Sequence, residues 1–183
     1  MPQRIAIGGS AGVGKTTLAR ALAAELGLPY LPEGMREYLE SGGADPHELG
    51  WAGLRDLVLR LWIERKEAES RATSGFVADR SSYDFAAFWL YYQFADGDEL
   101  TERLLAEMLD PRRYDAVLVL PWGAIPLEAD GVRSTNRWRQ LHLQVLVEGL
   151  LARDAVPVTT LRALDPRARV DEALRRLDRR ESA

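Results

Sequence analysis

The chain carries a glycine-rich segment that ends in a lysine and a threonine. Its letters, GSAGVGKT at residues 9–16, satisfy the pattern GxxxxGK[ST] and lie between an apolar run and an alanine- and leucine-rich run. Glycines permit backbone conformations that other residues rarely adopt, so phosphate oxygens can approach the main-chain N–H groups. This glycine loop therefore predicts a nucleoside triphosphate site, with Lys15 at the outer phosphates and the Thr16 hydroxyl on a magnesium ion.

The lysine of the glycine loop is unusual for this chain. Lys15 and Lys66 are the only lysines among 24 basic residues, so arginine supplies the other positive charges. We interpret the loop as an ATP site rather than as an ordinary glycine-rich turn. The residues predicted to bind ATP are Gly9, Ser10, Ala11, Gly12, Val13, Gly14, Lys15, Thr16 and Thr17.

A magnesium ion at this loop needs a carboxylate from a neighbouring strand. Asp79 closes the apolar run GFVAD, whereas the run DAVLVL leads into Pro121. We predict that Asp79 and Thr16 hold Mg²⁺, directly or through water, and that Asp79 is catalytic. The alternative, in which Asp79 only caps the next helix, is less favoured because Ser81 can fill that position.

Charged residues that follow the second predicted strand point to a phosphoryl acceptor. Glu33 and Arg36 lie in PEGMREY, and Arg80 follows Asp79 directly. A carboxylate near the metal suits the task of orienting or deprotonating an acceptor hydroxyl, so Glu33 is the candidate. The alternative is that Glu33 and Arg36 are ordinary solvated charges on a helix surface.

Arginines cluster in DGVRSTNRWRQ, residues 130–140. Arginines on a mobile segment can close over a transferring phosphoryl group and neutralise its developing charge. We predict a lid around residues 122–140, with Arg133 in a catalytic role. A solvated basic face is the alternative interpretation.

Composition limits the classes of protein. With 183 residues and 46% apolar content we expect a single domain spanning residues 1–183. The absence of cysteine and of a long apolar run predicts a cytoplasmic protein without a membrane span. A net charge of −4 disfavours nucleic acid as a partner, and it leaves a small-molecule acceptor as the expected partner and a homodimer open.

Short apolar runs alternate with longer amphipathic segments along the chain, which predicts an α/β fold with a parallel sheet covered on both faces. We expect strands at RIAIG, LPYLPE, GFVAD, DAVLVL and AVPVTTL. Helices are predicted after the glycine loop, after Asp45-Pro46, from Ser82 to Phe94, over ELTERLLAEML, from about Ser134 to Arg153, and from Asp165-Pro166 onward. The aromatic spacing within 82–94 is interpreted as core packing.

Several segments resemble, in the same order, the nicotinamide riboside kinase domain of the bifunctional bacterial regulator of NAD biosynthesis. They are also similar to the wider family of small P-loop ATPases and kinases that includes thymidylate and deoxynucleoside kinases. The resemblance covers roughly Ile5 to Leu177. The segments that carry it are GGSAGVGKTTLARALA, PEGMREYLE, FVADRSSYD, YDAVLVL and IPLEADGVRS.

This resemblance implies a three-layer P-loop fold with five parallel strands in the order 2-3-1-4-5, ATP with Mg²⁺, and phosphoryl transfer to a small hydroxyl-bearing molecule. By position, it implies that Glu33 and Arg36 line the acceptor pocket and that Arg80 contacts a phosphate. It also implies that Asp130 and Arg133 belong to the lid.

The chain departs from the riboside kinases at two places. Leu127 stands in IPLEADG where those kinases tend to have an aromatic residue, which leaves Trp122 as a candidate to stack on the acceptor. The DRSS letters after the third strand are closer to the deoxynucleoside and nucleotide kinases. We predict an ATP-dependent kinase for a nucleoside or nucleoside-like metabolite. An ATPase that acts as a regulatory or partner-binding module without a small acceptor is the alternative.

Overall fold

A five-stranded parallel sheet forms the centre of the fold. The computed structural model describes residues 3–46, 48–95, 97–123 and 136–181. The strand order is β2-β3-β1-β4-β5, which confirms the order implied by the resemblance to P-loop kinases. The strands are β1 (Gln3–Gly8), β2 (Tyr30–Leu31), β3 (Gly75–Asp79), β4 (Ala116–Val119) and β5 (Val158–Thr160).

Helices connect the strands and cover both faces of the sheet, because neighbouring parallel strands require crossover connections. They are α1 (Lys15–Leu26), α2 (Met35–Glu40), α3 (Gly50–Arg71), α4 (Ser82–Tyr91), α5 (Glu99–Met108), α6 (Arg137–Arg153) and α7 (Pro166–Glu181). Among the described residues, none of these helices is long and apolar enough to cross a membrane.

The strands send alternate side chains to two separate cores. Ile5 and Ile7 of β1 pack with α1 and α7 on one face, whereas Ala6 packs with residues of α4 and α6 on the other face. This two-residue period is that of a strand buried on both sides. A third cluster joins α3, α4 and α5 around the fully buried Trp62 and Trp89, so helix α4 belongs to two cores.

The structure corrects two of the predicted helix boundaries. Helix α3 begins at Gly50 rather than at Asp45-Pro46, because Glu48 N donates to Asp45 O in a turn and Gly50 has a φ of 64°. Helix α4 ends at Tyr91, and Gln93 with a φ of 55° prevents its extension to Phe94. Helix α6 begins at Arg137, while Ser134 lies outside the described residues. The short helix α2 was missed as a separate element.

Candidate active site

The glycine loop connects β1 to α1 and leaves the amino end of α1 open. Gly9 has a φ of 126°, and a Cβ atom there would lie 2.8 Å from the Leu120 carbonyl oxygen. Gly14, with a φ of 89°, occupies the N-cap of α1 and offers no side-chain cap. The first-turn N–H groups of α1 therefore have no side-chain acceptor in the described structure, and an anionic ligand can use them.

Side chains of α4 and α6, which pack on the face of the sheet opposite to α1, hold the first three residues of the glycine loop. The N–H groups of Gly9, Ser10 and Ala11 donate to side-chain oxygens at 3.2, 2.7 and 3.0 Å, respectively. The acceptors are Asp84 of α4 and the two glutamines Gln144 and Gln140 of α6. The loop is thus fixed before any ligand binds, and sequence analysis did not identify these three supports.

Lys15 is folded back onto the loop. It is only 5% exposed, and its Nζ donates to the Ser10 carbonyl oxygen at 2.6 Å. Burial, followed by the nearby positive charge of Arg80, lowers the pKa of Lys15 to about 8. The ammonium group is therefore poorly compensated in the free protein, and a bound polyphosphate would supply the missing negative charge.

Thr16 and Asp79, the two predicted metal ligands, are in direct contact. Thr16 Oγ1 donates to Asp79 Oδ2 at 2.5 Å, and the hydroxyl of Tyr30 donates to the same oxygen at 3.3 Å. The other carboxylate oxygen, Asp79 Oδ1, is buried and has no hydrogen-bond partner among the described residues. Helix α4 is capped by Ser81 through a capping box with Asp84, so Asp79 is not its cap.

This pair fits a magnesium ion. Mg²⁺ takes hard oxygen ligands and is commonly held by one or two protein oxygens together with the phosphates of its substrate. Thr16 and Asp79 provide such oxygens, and the buried Asp79 Oδ1 has coordinating capacity to spare. The described residues contain no larger group of histidine, cysteine, aspartate and glutamate side chains that would suit a separate metal site.

Arg80 connects the glycine loop to the predicted acceptor carboxylate. Its Nε donates to Glu33 Oε1 at 2.5 Å, and its Nη1 donates to Asp84 Oδ1 and to the Gly9 carbonyl oxygen, both at 3.2 Å. Burial opposes the charge of Arg80, but Glu33 and Asp84 outweigh it and raise its pKa. Its backbone is left-handed with a φ of 79°, a strained conformation of the kind that clusters at functional sites.

Arg65 is a site residue that sequence analysis missed. This arginine of α3 is 3% exposed, and it donates to the carbonyl oxygens of Asp79 and Arg80 at 2.8 and 2.7 Å. It also donates to the carbonyl oxygens of Leu31 and Pro32. Arg65 thereby joins the ends of β2 and β3. The letters ERKEAESR suggested surface charge, although Arg65 continues the helical spacing of the buried residues 58, 61 and 62.

Two adjoining cavities meet at these residues. The first, called here the phosphate groove, runs along the glycine loop and is lined by Gly12, Gly14, Lys15 and Thr17 among others. The second, called the acceptor cavity, extends from Asp79 and Arg80 between helices α3, α4 and α6. The residues that line both are Thr16, Arg20, Glu33, Arg36 and Glu37.

The structure thus brings together most of the predicted site residues, but not all. Trp122 is absent from the described lining of both cavities and instead stacks on Trp138, with ring centroids 6.5 Å apart. Asp130 and Arg133 lie outside the described residues, as does most of the predicted lid. From the same arginine cluster, Arg139 does line the acceptor cavity, and its Nε donates to the Tyr91 hydroxyl at 2.9 Å.

The sheet order and the glycine loop between β1 and α1 define a P-loop nucleoside triphosphatase fold. A family model described as an AAA domain matches residues 4–169, and the chain belongs to that family. No curated protein sequence matches the chain.

Solved structures of P-loop kinases share the fold. The chain is similar to a NadR protein in complex with NR, at 25% identity and a TM-score of 0.69, over 88% of this chain and 46% of that one. It therefore spans about half the length of the NadR chain. A deoxyadenosine kinase from M. mycoides with bound dCTP gives 18% identity and a TM-score of 0.64 over 96% and 99% of the two chains. Shikimate kinase from Acinetobacter baumannii in complex with shikimate gives 17% identity and a TM-score of 0.60 over 97% of this chain and 93% of that one.

Proposed function

We propose that the protein transfers the γ-phosphoryl group of ATP to a hydroxyl group of a small molecule, with a nucleoside or nucleoside-like metabolite as the acceptor class. The observation that carries this proposal is the shared wall between the phosphate groove and the acceptor cavity. A molecule in the acceptor cavity would meet the terminal phosphate at Thr16 and Glu33. The fold of small-molecule kinases supports the same assignment.

The groups that bind ATP lie on the phosphate-groove side of the shared lining, and the groups that act on the acceptor lie on the acceptor-cavity side. The main-chain N–H groups of the glycine loop and the ammonium of Lys15 bind the phosphates and offset their charge. Thr16 and Asp79 would hold Mg²⁺, which supplies positive charge at the β- and γ-phosphates when it is bound. In the transfer, the acceptor oxygen forms a bond to the γ-phosphorus, the bond from that phosphorus to the β,γ-bridging oxygen breaks, and ADP leaves.

Glu33 and Arg80 act on the acceptor side. The Glu33 carboxylate orients the acceptor hydroxyl and takes its proton as the new bond forms. Arg80 holds Glu33 through Nε and is itself anchored to Asp84 and Gly9, so the carboxylate has a defined position. Most of the rate enhancement then comes from positioning and electrostatics, as is usual for phosphoryl transfer.

The deciding experiment measures ADP release from the purified protein with ATP and Mg²⁺ against a panel of nucleosides and other hydroxyl-bearing metabolites. We expect at least one acceptor to stimulate ADP release, with formation of its phosphorylated product. Lys15→Ala should lower that turnover by at least about 100-fold, since electrostatic stabilisation of this kind commonly contributes as much.

Lys66→Ala is the matched control, because Lys66 pairs with Glu107 at 2.8 Å between helices α3 and α5 and lines neither cavity. It should turn over like the parent protein. A different outcome is that a protein partner stimulates ADP release and no small molecule does. That result would favour the alternative function, an ATPase that acts as a regulatory or partner-binding module. Equal turnover of Lys15→Ala and the parent would refute both.

A further inference from the structure

The wall of the acceptor cavity changes from polar to apolar with distance from the glycine loop. Its loop end includes the charged side chains of Asp79 and Arg80 and the residues shared with the phosphate groove. The remainder of the described lining is mainly hydrocarbon and aromatic. These side chains are Met35, Pro46, Leu54, Val58, Leu61, Phe85, Phe88 and Leu143.

Two facing helices provide most of this apolar part. Leu54, Val58 and Leu61 follow each other at i, i+4 and i+7 on α3, and Phe85 and Phe88 at i and i+3 on α4. Side chains at these spacings lie on one face of a helix. Val58, Leu61 and Phe85 also belong to a buried cluster, so the shape of the slot between the two helices is set by the core.

The two polar side chains at the far end lie at the rim. Tyr92 and Arg139 line the acceptor cavity and also border a neighbouring surface pocket that includes Trp51. The guanidinium of Arg139 lies 5.6 and 5.7 Å from the ring centres of Tyr91 and Tyr92. Tyr30 and Gln140 also line this cavity, and their contacts with Asp79 Oδ2 and with the Ala11 N–H group place them at its loop end. Between that end and the rim, the described lining on α3 and α4 consists of the apolar side chains named above.

This arrangement discriminates between acceptors of the same shape. The edge of a nucleobase carries several hydrogen-bond donors and acceptors, which must lose water when the base enters this slot. A polar group that is buried without a partner disfavours binding, whereas an apolar ring gains from contact with aliphatic and aromatic side chains. A slot of hydrocarbon therefore selects against a polar ring edge.

We propose that the preferred acceptor presents its hydroxyl to Glu33 from an apolar ring with few hydrogen-bonding groups, which packs between α3 and α4. This inference rests on the proposed kinase function and narrows its acceptor class. It assigns ring selectivity to Leu54, Val58, Leu61, Phe85 and Phe88.

The test compares two nucleosides that differ in hydrogen bonding but hardly in shape: thymidine and its difluorotoluene isostere. We expect kcat/KM for the isostere to exceed that for thymidine by at least about tenfold, the effect of roughly one unsatisfied buried polar group. Phosphorylation of thymidine at an equal or greater rate would overturn the inference and leave the kinase function intact. Failure of every acceptor in the wider panel would count against the kinase function itself.

A variant pair then tests the wall directly. Leu54→Asn adds an amide to the half-buried edge of the slot, and Leu100→Asn adds the same group to a side chain of α5 that is 37% exposed. Leu54→Asn should reduce the preference for the isostere by at least about threefold, while Leu100→Asn should leave the ratio unchanged. Because the measured quantity is a ratio for one enzyme preparation, partial unfolding cannot produce it. An unchanged ratio in Leu54→Asn would exclude this wall as the source of selectivity.

Discussion

The hydroxyl of Thr16 donates to the carboxylate of Asp79 at 2.5 Å, which joins the first turn of α1 to the end of β3. Asp79 keeps its second oxygen buried and without a partner in the described structure. We expect Asp79→Asn to weaken Mg²⁺-dependent ATP binding at least about tenfold, because a neutral amide cannot offset the charge of the ion. Binding measured by calorimetry with and without Mg²⁺ checks this.

The control for this substitution is Asp171→Asn on α7, whose carboxylate pairs with Arg167 on the surface at 3.3 Å. It should leave the Mg²⁺ dependence as in the parent. ATP binding without Mg²⁺ should change little in Asp79→Asn. If both variants need the same Mg²⁺ concentration as the parent, Asp79 is not a metal ligand.

The lowered pKa of Lys15, about 8, makes ATP affinity depend on pH. ATP binds the protonated lysine, so the apparent affinity should fall about tenfold between pH 7 and pH 9 as the free protein loses that proton. Lys15→Met should bind more weakly throughout and should lack this component of the pH dependence. Calorimetry near pH 8 in buffers of different ionisation enthalpy should also detect proton uptake by the parent alone.

The lowered pKa of Lys15 also makes the stability of the ATP-free protein depend on pH. Its pKa is about 8 in the folded chain against an ordinary 10.5, so between these values the unfolded chain binds a proton that the folded chain does not. The free energy of unfolding contributed by Lys15 therefore rises with pH from about 8 to about 10.5. Urea unfolding of the parent and Lys15→Met across this range should show the two curves diverging. Parallel curves would mean that Lys15 is not desolvated.

Much of the fold was predictable because its signals are local. The GxxxxGK[ST] pattern, the capping box of Ser81 and Asp84, and the apolar runs of β1, β3 and β4 each depend on neighbouring residues. The contact between Thr16 and Asp79 followed from one further rule, that parallel strands bring their carboxyl ends to one edge. The same rule placed Glu33 and Arg80 at that edge, and the resemblance to known kinases supported an acceptor role for Glu33.

The supports of the site were not predictable, because they are long-range contacts of ordinary polar residues. Gln144 reaches Ser10 across 134 positions of the chain, and nothing in the local letters distinguishes it from a solvated glutamine. Arg65 stands in a strongly charged segment, although it is buried. The apolar nature of the acceptor cavity was also hidden, because Phe85 and Phe88 have the spacing of core residues, and Phe85 is indeed also core.

Arg65 should act as a positioning residue, since it holds the carbonyl groups on either side of the site without lining either cavity. Arg65→Lys keeps the charge but loses the planar fork that serves several acceptors. We expect kcat to fall at least about tenfold and the free energy of unfolding by about 2 kcal/mol, with the Kd for ATP within about twofold of the parent.

The matched control is Arg60→Lys on the same helix, where the exposed guanidinium lies 5.0 Å from the ring centre of Tyr38. It should change neither kcat nor stability appreciably. A purely structural role for Arg65 would lower stability with kcat preserved in the folded fraction. That outcome, measured at a temperature where the variant is fully folded, would contradict the positioning role.

Gln144 should determine how well the glycine loop is preformed. Its Oε1 accepts from Ser10 N at 2.7 Å and its Nε2 donates to the Leu120 carbonyl oxygen at 3.1 Å, so one side chain satisfies two buried backbone groups. Gln144→Leu would leave both unpaired, and we expect a loss of about 2 kcal/mol in the free energy of unfolding. Val145→Leu, on a side chain of α6 that is 57% exposed, should have no such effect.

The effect of Gln144→Leu on ATP binding distinguishes a role of Gln144 in holding the glycine loop from a role in packing alone. A loop that must be ordered on binding has a lower affinity than one already in place, so Gln144→Leu should raise the Kd for ATP several-fold at a temperature where the protein stays folded. Hydrogen exchange of the Ser10 and Ala11 amides should become faster in the variant and slow again on adding ATP. Unchanged exchange together with an unchanged Kd would show that the loop holds its shape without help from α6.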